Sequence, residues 1–385
     1  MAHLHRAQGL GSGRCPRLLP RSRRRVHPQR PLLRHIDPDR QGMAPPQAGG
    51  RRPMTRTVRI LSIDGGGIRG LIPALVLAEL ERQSGQPAHD LFDLVAGTST
   101  GAIIAAALTR PKPKTAAEIA SLYMASGPAI FARSPISYIR SAITGPKYDA
   151  APLERVLREF FGTTKLSDAI VPLLLPCYDI ERREAHFAKS WRALRNPADD
   201  FLTSDYLRAA TAAPTYFSPA LIHSIGGQRL AAIDGALYAN NPAMCAMAEA
   251  RVLFPEADRF ICISLGVGEF RSPLPYEKAK NWGLLSWAPP VIDCCMDGSA
   301  DTTHYQLSNT FGPNVAYHRF QIDLHDKAAG PAANPSDCID DASPANIGKL
   351  INRARQMIAR DADELGRLAV LLPSYSRLSM MGFTA

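Results

Sequence analysis

The sequence predicts an α/β fold of three layers, a central and mostly parallel β-sheet with helices on both faces. Three observations carry that prediction. Strand-like and helix-like segments alternate from Thr57 onward. Several strand-like runs are continuously apolar, as strands covered on both faces tend to be. No linker-like stretch and no internal repeat divides residues 55–375, so one large domain is expected after the N-terminal segment. The 385-residue chain is 45% hydrophobic and 21% charged, which excludes a wholly disordered or fibrous protein.

The elements follow in order. Val58–Ile63 is a β-rich run that ends at Gly65–Gly67. Ile68–Gln83 then places Ile68, Leu71, Ile72, Leu75 and Leu80 at helical spacing. Phe92–Ala96 is the second strand, and Thr100–Leu108 is a small-residue helix stopped by Pro111. Further strands are expected at Pro172–Tyr178, Glu184–Lys189, Arg229–Ile233, Phe260–Leu265 and Ala316–Ile322. Helices are expected at Asp205–Ala212, Pro242–Leu253 and Pro344–Leu372.

Residues 1–53 differ in kind. They hold twelve of the arginines, eight prolines, no lysine and only Asp37 and Asp39 as acids, which accounts for the whole formal net charge of +10. The remaining residues carry equal numbers of acidic and basic side chains, so no nucleic-acid partner is expected for the folded part. Such a segment buries too little apolar surface to offset its ordering entropy and is expected to be disordered. A basic arm for nucleic acid or anionic lipid and an organelle-targeting segment are two readings of it. The favoured one is a stretch upstream of the natural start, because Met54 opens the folded pattern directly. No apolar run has the length of a secretory signal or a membrane span. Seven cysteines without a C-x-x-C pair argue against a disulfide framework or a zinc ribbon and suit a reducing compartment, so a cytoplasmic location is expected.

Three short motifs carry chemistry. Gly97-Thr98-Ser99-Thr100-Gly101 follows a strand and opens a helix. A turn this tight holds its central residue in a strained backbone and points the side chain outward, with glycines keeping neighbouring β-carbons away. Ser99 then sits at a helix N-terminus, where free N–H groups and the helix dipole favour the negative charge that its attack on a carbonyl would create. Asp64-Gly65-Gly66-Gly67-Ile68-Arg69-Gly70 also joins a strand to a helix, and successive glycines let backbone N–H groups converge on an anion. Gly65, Gly67 and Gly70 also fit a dinucleotide fingerprint, which suggests an oxidoreductase. That fold needs an acid at the end of the next strand, where this chain has the serine turn, and a P-loop needs a Gly-Lys pair that is absent. Asp234-Gly235-Ala236 places an acid at the end of a strand taken to be parallel, although an isolated Asp-Gly reads first as a turn.

Together the three motifs, with Asn241-Pro242 after the aspartate, resemble the patatin-like phospholipases in order and in structural context. The resemblance runs from about residue 58 to about 247 and more weakly beyond. It implies a patatin-like domain over residues 54–385 and a serine acyl hydrolase acting on lipid or phospholipid esters, in lipid breakdown or membrane remodelling. It also implies a Ser99–Asp234 dyad without histidine, and an oxyanion loop at Gly65, Gly66 and Gly67 with Arg69 bracing it or aiding the developing charge. Gly70, Gly97, Gly101 and Gly235 are the remaining motif glycines. A free aspartate, with a pKa of about 3.9, is a poor base at neutral pH, so either burial raises it or oxyanion stabilisation carries most of the rate. None of His186, His223, His304, His318 and His325 stands in a motif-like context that would complete a triad.

No metal-binding pattern and no cofactor is expected, and hydrolysis should survive a chelator. On the substrate side, residues 127–148 hold Ile130, Phe131, Ile136, Tyr138, Ile139 and Ile143, an acyl-chain wall or lid, or an ordinary packed connection. Asn281–Trp287 pairs two tryptophans with leucines and suits a peripheral contact with a membrane surface, or plain packing.

Overall fold

A computed structural model describes residues 56–132, 145–269, 273–325 and 330–373. Strand β1 (Arg56–Ile63) leads through the glycine turn and one 3-10 turn (Gly67–Gly70) into α1 (Leu71–Ser84), which ends where Gly85 takes a left-handed conformation. Strand β2 (Leu94–Gly97) feeds α2 (Thr100–Thr109). Helix α3 (Ala116–Ile130) is started by a reciprocal cap between Thr115 and Glu118. Helix α4 (Ala151–Phe161) buries Leu153, Leu157 and Phe161, one face at intervals of four. Strands β3 (Leu173–Asp179) and β4 (Glu184–Lys189), helix α5 (Thr203–Ala210), strands β5 (Ala220–His223) and β6 (Arg229–Asp234), helix α6 (Ala243–Leu253) and strand β7 (Ala257–Leu265) follow. The chain closes with α7 (Leu284–Thr310), β8 (Val315–Phe320), α8 (Pro344–Arg360) and α9 (Ala362–Leu371).

The eight strands form one mixed sheet in the order β5-β6-β3-β2-β1-β7-β8, with β4 also on β3. Pairs β1–β2, β1–β7, β2–β3 and β7–β8 are parallel, while β4, β5 and β6 run antiparallel to their neighbours. Side chains alternate between two apolar cores. Leu61, Ile63, Val95, Ile261 and Ile263 face one, and Val58, Ile60, Leu94, Ala96 and Cys262 face the other. Both faces are therefore covered, as the apolar runs predicted. A buried ion pair locks the sheet laterally. The Arg59 guanidinium grips Asp93 through two 2.9 Å bonds and donates to the Leu372 carbonyl at 2.9 Å.

One arrangement on β3 positions the site. Strand β4 pairs with residues 174–179 of β3 and so fills one of its edges. A strand has two edges, so β2, against Leu173 and Leu174, and β6, against Cys177 to Asp179, share the other. They run in opposite directions along it. The carboxyl end of β2 at Gly97 and that of β6 at Asp234 therefore point at each other.

The antiparallel course of β6 corrects the expectation of a parallel strand before Asp234. The short return through β5, a four-residue strand absent from the sequence-based reading, brings β6 back antiparallel. Helix α7 was not expected because Pro289, Pro290, Gly283 and Gly298 are poor helix residues, yet 27 residues form it. Helices α3 and α4 also went unassigned, and the expected Pro344–Leu372 helix is two helices meeting at Asp361. The expectations for residues 1–53, and for Ile136, Tyr138, Ile139 and Ile143 of the proposed lid, lie outside the described residues.

Candidate active site

Strand β2 gives way to helix α2 within two residues, and Ser99 takes the bend with φ 53 and ψ −120. This backbone is costly for a residue with a β-carbon, of the order of 1–3 kcal/mol, and persists only where the surroundings enforce it. Thr98 is pinned on both sides: its N–H donates to the Ile63 carbonyl at 3.1 Å and its hydroxyl to the Ala239 carbonyl at 2.6 Å. The Gly101 N–H donates to the Thr98 carbonyl at 2.8 Å. A β-carbon on Gly97 would collide with the Gly101 carbonyl, and one on Gly101 with that of Ile63. Glycine is thus required on both sides of the serine. Ser99 borders an apolar pocket at the start of α2.

Asp234 ends β6 and is 1% exposed. Its N–H donates to the Ala212 carbonyl at 3.1 Å, and its Oδ1 accepts the Ala236 N–H at 2.9 Å. Oδ2 is buried and has no partner of ordinary hydrogen-bond geometry among the described residues. The Ser99 hydroxyl is nevertheless close enough to pull the Asp234 pKa down. The two facts fit a Ser99–Asp234 contact that is longer or more bent than a full hydrogen bond. Burial dominates the balance and lifts the pKa to about 7 against the pull of Ser99 and the Ala236 N–H.

The glycine turn lies against both residues' supports. The Gly65 N–H is spent on the Asn240 carbonyl at 3.1 Å. A β-carbon there would stand 2.5 Å from Asn240 Oδ1 and 3.1 Å from the Ser99 Cβ, so Gly65 supplies close approach rather than a spare donor. The N–H groups of Gly66 and Gly67 have no acceptor among the described residues. Gly67 borders the same pocket as Ser99. Arg69 reaches back to the Gly66 carbonyl with a long 3.5 Å contact from Nε, bracing the loop. Burial lowers its pKa, with Asp297 and Asp293 the leading opposing charges. A β-carbon on Gly70 would crowd Thr100 and Tyr123, and one on Gly235 would stand 2.7 Å from the Pro176 carbonyl oxygen.

Arg319 and most of the pocket wall escaped the sequence reading, whereas Asn241, Ile130 and Phe131 were singled out by it. Arg319 donates to Asp64 Oδ2 at 2.6 Å and to the Ser264 hydroxyl at 2.8 Å, fixing the aspartate that opens the glycine turn. Asn241 Oδ1 accepts from Ser62, Ser264 and the Ala243 N–H at 3.3, 3.3 and 3.0 Å, tying the segment after Asp234 to β1 and β7. The apolar pocket is built by α3 and α4, with Leu122, Tyr123, Ile130, Leu153, Leu157 and Phe160 around it and Phe131, Tyr216 and Phe217 closing it. Counted to its open mouth it encloses about 830 Å³. The four-residue apolar spacing of α4 was the available sequence signal for this wall. Phe131 packs edge-on against Tyr148, ring centroids 5.5 Å apart, so both ends of the proposed lid that are described belong to packed structure. Trp282 and Trp287 pack edge-on at 5.3 Å, with Trp287 exposed.

No histidine lines the serine pocket among the described residues. His186 lies two strands from Asp234, paired through Cys177, and packs against Tyr206 and Phe201 with burial lowering its pKa. Among the described residues no group of three or more histidine, cysteine or acidic side chains is placed to hold a metal ion, and no helix is long and apolar enough to cross a membrane.

Residues 61–247 match a family model described as patatin-like phospholipase, a span that contains all three motifs. Patatin-like protein 2 of Arabidopsis thaliana is 31% identical over 370 residues, 86% of each chain. Patatin-like protein 1 of the same plant is 33% identical over 344 residues, 78% of this chain and 83% of that one. A potato protein named probable inactive patatin-3-Kuras 1 is 30% identical over 337 residues, 80% of this chain and 88% of that one. With relatives aligned along most of their length and every motif inside the matched span, the chain belongs to the patatin-like phospholipase family.

Proposed function

We propose that the protein is a serine acyl hydrolase of lipid esters, of phospholipase A type, working through a Ser99–Asp234 dyad without a metal or cofactor. One relative is named probable inactive, so the reading is argued from this chain's own residues. The observation that carries it is a buried aspartate with its pKa raised to about 7, adjoining a serine held at positive φ beside an apolar pocket. At that pKa the aspartate is a competent base near neutral pH, which answers the difficulty an ordinary carboxylate would pose.

The steps follow from the geometry. An acyl chain occupies the apolar pocket and presents its ester carbonyl to Ser99. Ser99 Oγ attacks while its proton passes to Asp234. The carbonyl oxygen, now negative, takes hydrogen bonds from the Gly66 and Gly67 N–H groups beside the start of α2; one such donor is worth about 3 kcal/mol in a transition state. Collapse expels the alcohol, which takes the proton from Asp234 and leaves an acyl-serine. Water then attacks that ester with Asp234 again as base, restoring the serine and releasing the fatty acid.

The test is hydrolysis of a panel of phospholipids, neutral lipids and short-chain nitrophenyl esters in the presence of EDTA. Wild type should cleave at least one class, Ser99→Ala and Asp234→Asn should lose turnover by about a thousandfold or more, and a fluorophosphonate should label Ser99 alone. Undiminished hydrolysis by folded Ser99→Ala, or inhibition by EDTA that calcium reverses, would overturn it.

A further inference from the structure

The two proposed oxyanion donors, the N–H groups of Gly66 and Gly67, sit between two anchored amides. On one side the Gly65 N–H donates to the Asn240 carbonyl at 3.1 Å, and on the other the Ile68 N–H donates to the Ile339 carbonyl at 2.9 Å. Ile339 also presses on the turn itself, since a β-carbon on Gly67, whose φ is 59, would collide with that same carbonyl. The aim of the two donors therefore depends on where the Ile339 carbonyl stands.

Ile339 lies in the loop between a 3-10 turn at Pro331–Ala333 and helix α8, so ties from side chains must fix it. Asn346, 4% exposed at the start of α8, holds the loop at two points: its Oδ1 accepts the Ser336 N–H at 2.7 Å and its Nδ2 donates to the Asp341 carbonyl at 2.6 Å. Between those points stands Asp340, 6% exposed, whose Oδ2 accepts the Tyr148 hydroxyl at 2.5 Å and pairs with the Lys147 ammonium. Bonds to an ionised carboxylate are about twice as strong as neutral ones. Lys147 and Tyr148 are themselves fixed to the wall of the apolar pocket. Their N–H groups donate to the Thr215 and Tyr216 carbonyls at 2.8 and 2.9 Å, and the Tyr148 ring packs against Phe131 and Phe217 with centroids 5.5 and 5.8 Å apart.

We propose that Asp340 is a positioning residue for the reaction: held by Tyr148 and Lys147, it fixes the Ile339 carbonyl and so aims the Gly66 and Gly67 N–H groups at the developing oxyanion. The inference rests on the acyl-hydrolase reading. Asp340 touches neither substrate nor Ser99 in this role and acts through one backbone hydrogen bond. A displacement of the donors by about 1 Å is enough to cost about a hundredfold in rate.

The test compares wild type, Asp340→Ala, Asp340→Asn and Tyr148→Phe on nitrophenyl butyrate. Asp340→Ala should lower kcat by about ten- to a hundredfold with KM within about threefold, and Asp340→Asn, which keeps an acceptor for the Tyr148 hydroxyl, should recover most of the loss. Tyr148→Phe retains the ring contacts and should lose about three- to tenfold, which keeps the proposal testable if Asp340→Ala does not fold. An alkyl trifluoromethyl ketone supplies the readout that a purely structural role would leave unmoved. Ser99 Oγ adds to its carbonyl carbon, the serine proton passes to Asp234, and the carbonyl oxygen becomes an oxyanion facing the donors. Its affinity should weaken in each variant by the factor lost in kcat/KM, whereas a loss of folded protein lowers the number of sites and leaves the affinity of the rest unchanged. Wild-type kcat in Asp340→Ala and Tyr148→Phe, or lost turnover with unchanged ketone affinity, overturns the proposal while hydrolysis itself stands. If wild type neither cleaves an ester nor binds the ketone, the acyl-hydrolase reading fails instead. Amide exchange then decides the role of Asp340 alone: an Ile68 N–H that exchanges about tenfold faster in Asp340→Ala, with the β1 amides unchanged, supports it, and an unchanged Ile68 N–H overturns it.

Discussion

Replacing Asp234 with asparagine should make the protein more stable while removing its activity, and by an amount that grows with pH. The carboxyl has a pKa of about 7 in the folded chain against an ordinary 3.8, so the folded state holds its proton more tightly than the unfolded chain does. Between those two values the folded state binds more protons, and its stability falls as pH rises through the window and stays reduced above it. At 1.36 kcal/mol per pKa unit, ionisation costs the fold about 1.7 kcal/mol at pH 5 and about 4 kcal/mol at pH 8. Asparagine preserves the acceptor for the Ala236 N–H and never ionises. Its own desolvation cost is the same at both pH values, so the cleanest quantity is the change between them, about 2.6 kcal/mol in the variant's favour. Denaturant unfolding of wild type and Asp234→Asn at pH 5 and pH 8, followed by tryptophan fluorescence, measures it. An equal stability difference at the two pH values, or a variant that loses ground at pH 8, would refute the argument that burial drives the shift.

Three further outcomes follow from the structure. The kcat/KM of wild type should rise with pH through about 7 and level off above it, because Asp234 must be deprotonated to accept the serine proton; a flat profile from pH 5 to 8 would exclude it as the base. Gly66→Ala places a β-carbon 2.5 Å from Val267 Cγ2 and should cut turnover by about ten- to a hundredfold by shifting the donor loop. Adding Val267→Ala should recover much of that loss, since the atoms a β-carbon at position 66 would meet all belong to that side chain; no recovery would place the fault elsewhere. Arg59→Met should cost about 3–5 kcal/mol of stability by leaving Asp93 buried without its partner, and a loss under 1 kcal/mol in denaturant titration would contradict the role given to the pair.

What the sequence conveyed and what it withheld divide on physical lines. The serine turn was legible because only glycines at 97 and 101 permit a two-residue passage from strand to helix, and the structure shows the collisions that any β-carbon would meet there. The apolar strands were legible because both faces of the sheet are covered. The sense of β6 was not, since a single strand's pattern is the same whether its neighbour runs with it or against it. Helix α7 was hidden by Pro289, Pro290 and Gly298, whose local cost the 27-residue helix overrides. The pairing of Asp64 with Arg319 joins residues 255 apart, and no local spacing announces such a contact. The shift of the Asp234 pKa could be posed as a requirement from the sequence, but its cause, near-complete burial at the end of β6, exists only in the fold.

The meeting of β2 and β6 along one side of β3 makes that strand a ruler for the proposed dyad. Ala96 is registered to Leu174 and Asp234 to Cys177, so the gap between the proposed nucleophile and base is a fixed number of β3 residues. Each residue inserted into β3 between those marks would lengthen the gap by about 3.3 Å, enough to end proton transfer. Insertions in the surface loops between positions 101 and 229 leave the gauge untouched. Those loops are therefore free to vary in length, while the spacing of the proposed chemistry is written in three peptide units of β3.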